Sequence, residues 1–152
     1  MVSILCVEHD QHLNNQLTKT LLNAGYDVLS AHDGIEALNY LTKTKPELIL
    51  CAADIPKLNG YALLEYLRKH CPECATLPFI FLLNKASAKN VIQCKKIGAD
   101  DYLQKPANPE LLLALVKSNL QRTERYQSHY ASLSQLIQNR DYCLELLGPI
   151  FD

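Results

Sequence analysis

The sequence predicts an α/β fold: a parallel sheet of five strands between two layers of helices, a three-layer αβα sandwich. Three observations lead there. Short strand-like segments recur five times, most of them apolar and all too short for a helix. Helix-period segments of 10 or so residues separate them, as crossovers between parallel strands require. The third run, Leu48, Ile49, Leu50 and Cys51, is unbroken by any polar residue, as expected of a strand covered on both faces.

Taken in order, Val2 to Val7 reads as the first strand, with Glu8, His9 and Asp10 at its C-terminal end. Asp10 is placed to cap a first helix whose apolar face is Leu13, Leu17 and Leu21, closed by Ala24-Gly25. Tyr26 to Ala31 is the second strand. After the turn His32-Asp33-Gly34, the residues Ile35, Leu38 and Leu41 mark the second helix. Glu47 to Ala52 is the third strand. A loop with Asp54, Pro56, Asn59 and Gly60 leads to a third helix bearing Leu63, Leu64 and Leu67 and a basic end, Arg68 and Lys69. Phe79 to Leu83 is the fourth strand. The fourth helix carries Val91, Ile92, Cys94 and Ile97 and closes at Gly98. Asp101 to Gln104 is the fifth strand, ended by Lys105-Pro106. Asn108-Pro109-Glu110 opens the last helix, with Leu111, Leu112, Leu115 and Val116 expected on the sheet.

Length and composition narrow the function classes. The chain has 152 residues, 48% of them apolar, and a net charge of −1. That is enough apolar surface for one full core. The charge offers no general attraction to nucleic acid or to an anionic membrane, so neither is expected as a partner. No apolar run approaches a membrane span. The opening MVSILCVEHD lacks the features of a secretory signal, so a cytoplasmic location is expected. Of six cysteines, Cys6 and Cys51 lie in strands, and a disulfide framework is not expected.

Four patterns carry a resemblance that covers Met1 to about Leu120: ILCVEHD, SAHDGIEAL, PELILCAADIPKLNGYALLEYLR and GADDYLQKPANPELL. In these the sequence resembles the receiver domain of bacterial two-component response regulators. The resemblance implies a flavodoxin-like fold with strand order 2-1-3-4-5. It also implies phosphoryl transfer from a histidine kinase to an aspartate, supported by Mg²⁺, two acids, a hydroxyl and a lysine.

Carried over residue by residue, that machinery is incomplete. The acceptor position, fixed by Pro46 on one side and Pro56 on the other, is Ala52. The metal-holding acids correspond to Glu8 and His9. The hydroxyl position is Leu83, with Asn84 beside it. Lys105 is kept, and the aromatic switch position is Tyr102. Alanine has no oxygen to attack phosphorus. Imidazole is a poor Mg²⁺ ligand, so neither Mg²⁺ nor any other cofactor is expected to bind well. Leucine cannot donate a hydrogen bond. The expected function is therefore that of a degenerate receiver, a phosphorylation-independent signalling and interaction module and not an enzyme. Without its phosphoryl partner, Lys105 is expected to contact Glu8, with Asp54 or Asp10 as other anions for it. Glu8, His9 and Asp10 remain as a residual acidic pocket, of which Glu8 and His9 are weak metal candidates.

Two alternatives stand beside this reading. In one, Asp54 replaces the missing acceptor; against it, Asp54 lies about 6–7 Å further along an extended chain, out of line with Glu8 and Lys105. In the other, the chain senses metal or redox state through His9 and Glu8 or through Cys71 and Cys74. The latter C-x₂-C lacks a second ligand pair and follows a helix, unlike the usual redox motif, so a plain surface loop is favoured there. His9, His12 and His32 are expected to be solvated side chains near the strand ends.

Residues 1–122 are assigned to the receiver-like domain and 123–152 to a helical extension. No residue stops the last helix between Pro109 and Leu147, a span of about 58 Å at ~1.5 Å per residue. Tyr126, Tyr130, Leu133, Ile137, Leu144 and Leu147 follow a near-heptad pattern, interrupted at Arg140. A coiled-coil homodimer is favoured over a helical hairpin or a linker. The other expected partner is a protein, a sensor kinase or an output protein, docking on the face of the fourth helix, fifth strand and fifth helix.

Overall fold

In the computed structural model, residues 1–138 are described. The strands are β1 (Ser3–Val7), β2 (Asp27–Ala31), β3 (Leu48–Ala52), β4 (Phe79–Leu83) and β5 (Asp101–Gln104). They form one parallel sheet in the order β2-β1-β3-β4-β5. The helices are α1 (Gln11–Asn23), α2 (Gly34–Lys43), α3 (Gly60–His70), α4 (Ala88–Lys96) and α5 (Pro109–Gln138), with a short 3-10 turn at Pro72–Cys74. Met1–Leu120 forms one compact unit, and the chain from Gln121 onward is a second.

The central strands β3 and β4 are buried at every residue, as their uninterrupted apolar sequences require. Side-chain caps set the helix starts. Asp10 accepts from the Leu13 amide at 3.0 Å, Asp33 from Glu36 at 2.7 Å, Asn59 from Ala62 at 2.9 Å and Asn108 from Leu111 at 3.0 Å. Each satisfies an amide that the helix itself leaves unpaired. Gly25 and Gly98 take positive φ, 94° and 95°, after α1 and α4, where a side chain would be strained.

Three helix faces differ in detail from the sequence expectation. On α2 the buried residues are Gly34 and Ala37, and Ile35 is exposed. On α4 only Cys94 is fully buried and Ile92 is exposed. On α5 Leu112 and Val116 enter the core, whereas Leu111 points outward. On α2 and α4 the buried stripe is narrow, and its residues Gly34, Ala37 and Cys94 are small, which allows each helix to approach the sheet.

Two loops lie at opposite edges of the sheet. The residues that follow the strands gather at the C-terminal edge. The link from α3 to β4, Cys71 to Pro78, lies at the N-terminal edge, because α3 runs back against the strand direction.

Candidate functional site

The register of the sheet brings the strand ends together. Val7 of β1 pairs with Ala31 of β2 and Cys51 of β3, Ala52 pairs with Leu82 of β4, and Leu83 pairs with Gln104 of β5. The residues just beyond, Glu8, Ala53-Asp54, Asn84 and Lys105, therefore converge. Backbone bonds hold this edge: Glu8 N–H to Ala31 O at 3.0 Å, Ala53 N–H to Leu82 O at 3.1 Å, and Lys105 N–H to Leu83 O at 2.8 Å. The Lys105–Pro106 peptide is cis. Gly60 sits so close to the end of β3 that a Cβ there would lie 2.5 Å from the Ala52 carbonyl oxygen. The loop between them can fold back tightly only with glycine.

At the centre is Lys105. Its ammonium donates to Glu8 Oε1 at 2.9 Å, to Glu8 Oε2 at 3.2 Å and to Asp54 Oδ1 at 3.2 Å. An ammonium has three N–H donors, and three carboxylate oxygens receive them. Glu8 is 2% exposed, and Lys105 is the cation that its carboxylate contacts. The contact expected between Glu8 and Lys105 is thus present.

Asp54 corrects the expectation. Its position two residues past Ala52 does not carry it out of line with Lys105, because the chain leaves the extended conformation and turns back toward Gly60. The Gly60 amide donates to Ala53 O at 3.0 Å. Asp54 Oδ2 also accepts from Asn84 Nδ2 at 2.6 Å. Partial burial pushes its carboxyl up, but the Asn84 hydrogen bond and the Lys105 charge outweigh that and hold it below the usual aspartate range.

Asp10 is not part of this cluster. Its carboxylate is used as the cap of α1, and His9 beside it is exposed. The expected pocket of Glu8, His9 and Asp10 is therefore replaced by Glu8, Lys105 and Asp54. Among the described residues no three His, Cys, Asp or Glu side chains are grouped to hold a metal ion. His12 meets Gln16 at 3.2 Å and His32 lies 3.6 Å from Glu36. They stand apart from the cluster, and the His32 Nε2 atom is buried without a hydrogen-bond partner.

Ala52 and Leu83 are both buried, at 0% and 2% exposure. They line the edge with hydrocarbon where the resemblance implies oxygen. Tyr102 is partly buried against the core, paired in register with Phe81.

Sequence reasoning missed one feature of importance here and set another aside. Asn14, buried on α1, donates to Glu8 O at 3.0 Å and Ala31 O at 3.1 Å and accepts from Ser30 Oγ at 2.6 Å. It pins the backbone that presents Glu8. Its signal was a polar residue next to Leu13, Leu17 and Leu21. The second is a disulfide between Cys71 and Cys74, where a plain loop was expected. The 3-10 turn at Pro72–Cys74 brings their Cα atoms to 5.2 Å, within bonding range.

The comparisons with known proteins agree with this architecture. The profile of the response regulator receiver domain matches residues 4–117. The chain is 34% identical over 125 residues to the DNA-binding dual master transcriptional regulator RpaA of Synechocystis sp., covering 82% of this chain and 52% of that protein. It is 34% identical over 123 residues to the response regulator MprA of Mycobacterium bovis, covering 81% and 52%. The chain thus spans about half the length of these curated relatives. Among solved structures, a CheY-like receiver domain protein from Methanospirillum hungatei superposes with a TM-score of 0.76 at 29% identity, covering 83% of this chain and 98% of that one. The receiver domain of a signal transduction histidine kinase from Syntrophus aciditrophicus gives 0.76 at 31%, covering 82% and 94%. With its sheet order and its strand-end cluster, this chain belongs to the response regulator receiver domain family.

Proposed function

We propose that this receiver works without phosphoryl transfer, as a signalling module held in one state and read by a protein partner. The observation that carries this is the triple contact of Lys105. Ala52 offers no nucleophile, Leu83 offers no donor to a phosphoryl oxygen, and the lysine's donors are already matched by carboxylates. Glu8, Asp54 and Asn84 thereby supply internally what an acyl phosphate and its metal would otherwise organise. Because Lys105 and Glu8 are buried together, separating them costs several kcal/mol, which favours a single state. Tyr102 has no hydroxyl at position 83 to follow, so its side chain is not coupled to modification. No cofactor is required by this reading.

Partner binding is assigned to the face of α4, β5 and α5. Ile92 is exposed there, with Ile97, Lys89 and Lys96 around a shallow groove beside it. A second association surface is assigned to the C-terminal helix. Leu133, Leu136 and Ile137 are 44%, 57% and 69% exposed, at spacings that share one helical face. The remaining seam residues Leu144 and Leu147, and Arg140, lie outside the described residues. Nucleic acid is not assigned as a partner of this chain, on charge grounds. Among the described residues no helix is long and apolar enough to cross a membrane.

One observation favours a second reading. The Asp54 side chain is 57% exposed and touches Lys105, so an acceptor displaced from position 52 remains reachable. Incubation with a small phosphodonor and Mg²⁺ followed by intact mass separates the two. No adduct is expected. A phosphoryl adduct that disappears in Asp54→Asn would establish the second reading in place of the first. For the tail, sedimentation of the full chain against Leu133→Ser/Ile137→Ser is expected to show a dimer turned monomer; equal masses would remove the coiled coil.

A further inference from the structure

The α3–β4 link holds a second group of chemically active side chains, at the opposite edge of the sheet from the lysine cluster. Cys71 ends α3, its amide bonded to Leu67 O at 3.0 Å. Cys74 closes the 3-10 turn, its amide bonded to Cys71 O at 2.9 Å. The two sulfurs are bonded to each other. Both residues are partly exposed and both line a cavity of about 110 Å³ with Lys45, Glu73, Leu41 and Leu77. The other described cysteines differ in every respect. Cys6, Cys51 and Cys94 are buried and unpaired. Burial pushes the Cys6 thiol up to about 12 and the Cys51 thiol well above its ordinary value, so neither is a nucleophile.

This pair is not a structural framework. It closes a loop with a sequence separation of three, its residues pack only at the margin of the core, and no other described cysteine is crosslinked. A single short-range, accessible pair in an otherwise thiol-bearing protein is the pattern of a redox-responsive site.

The loop is also wired to the rest of the unit. Arg68 Nη1 donates to Cys74 O at 2.7 Å and Leu77 O at 3.0 Å. Its Nη2 donates to Gly98 O and Asp100 Oδ2, each at 3.2 Å. Asp100 Oδ2 in turn accepts from the Phe79 amide, the first of β4, at 2.8 Å. One guanidinium therefore joins the disulfide turn to the turn between α4 and β5. A change in the Cys74 carbonyl position changes what Arg68 can hold.

We propose that Cys71 and Cys74 are a reversible dithiol–disulfide site that exchanges with low-molecular-weight thiols and disulfides, its state relayed through Arg68 to Gly98–Asp100. In the oxidising direction one cysteine thiolate attacks a small disulfide, forming a mixed disulfide and releasing one small thiol. The second cysteine then attacks the protein sulfur of that bond and releases the other thiol. Two cysteine thiols lose two electrons and two protons, and one small disulfide gains them as two thiols. Reduction is the reverse. Its test does not depend on the function proposed above.

The experiment uses the full chain in buffers of reduced and oxidised glutathione at varied ratio. Acid-quenched samples are alkylated and read peptide by peptide by mass spectrometry. The expected result is reciprocal loss of both labels at Cys71 and Cys74 together as the buffer becomes oxidising, fully restored on reduction. Labels that remain at both positions throughout, or glutathione retained on one cysteine without ring closure, would overturn the site. Hydrogen exchange then tests the relay. Reduction is expected to speed exchange of the Cys74 and Leu77 amides by roughly tenfold or more and to raise it at Ala99 and Asp100 as well. In Arg68→Lys the first change should persist and the second should vanish. A change confined to residues 71–77 in the unaltered chain overturns the relay.

Discussion

The two edges of the sheet make opposite use of the same fold. At the C-terminal edge, the chain gathers charged groups and satisfies them with one another: Lys105 gives three hydrogen bonds and receives no vacancy in return. At the N-terminal edge, Cys71 and Cys74 form a bond that chemistry can open. The first edge carries hydrocarbon at Ala52 and Leu83 beside the Lys105–Glu8–Asp54 contacts. The second is the connector from α3 to β4. The contrast shows that capacity for covalent change depends on which side chains occupy the connecting segments, not on the sheet between them.

The largest test of this contrast removes the lysine. Lys105→Ala leaves Glu8 buried and unpaired, and a loss of about 3–5 kcal/mol in urea unfolding is expected. The double variant Glu8→Gln/Lys105→Met should recover most of it. If Lys105→Ala costs no more than a surface substitution, the closed edge is not a stabilised state. Next is Gly60→Ala, which places a Cβ against the Ala52 carbonyl and is expected to cost about 1–3 kcal/mol. An unchanged denaturation midpoint would mean the loop reopens freely.

Opening the disulfide should cost less than removing the lysine. The chain-entropy relation for so short a loop predicts roughly 2 kcal/mol, measured as the difference in unfolding between oxidised and reduced protein. The smallest effect belongs to Asp54. Its side chain is more than half exposed, so Asp54→Asn should cost about 0–1 kcal/mol at neutral pH. The sign with pH follows from its lowered pKa. The charged form is favoured by folding, so its contribution is complete above the unfolded value of about 3.9 and fades as pH falls through the folded one. Parent and variant should therefore converge in stability below about pH 4. A gap that widens with acid would assign Asp54 a different role. Lys105 and Asn84 are the groups that touch it in that comparison.

Much of the fold was legible because burial on two faces leaves a plain mark: β3 and β4 read as apolar runs and are buried throughout. Helix starts were legible for a local reason, since a cap and its amide are three residues apart. Helix faces were less so. Ile35, Ile92 and Leu111 are apolar yet exposed, because hydrophobicity says that a residue can be buried, and packing decides which of several is. The same division runs through the site. Glu8 and Lys105 could be paired from the positions the resemblance gives them, whereas the loop turn that swings Asp54 back to Lys105 could not be read.

By itself, then, the sequence determined the parallel sheet, the register of Ala52 between its two prolines, and the absence of an oxygen at positions 52 and 83. These follow from local pattern and side-chain chemistry. Only the tertiary structure decided that Asp54 rather than Asp10 joins Glu8 on the lysine, and that Cys71 and Cys74 close on each other with Arg68 holding the turn. Those outcomes depend on where loops bend and which groups already have partners, and neither is written in the spacing of residues along the chain.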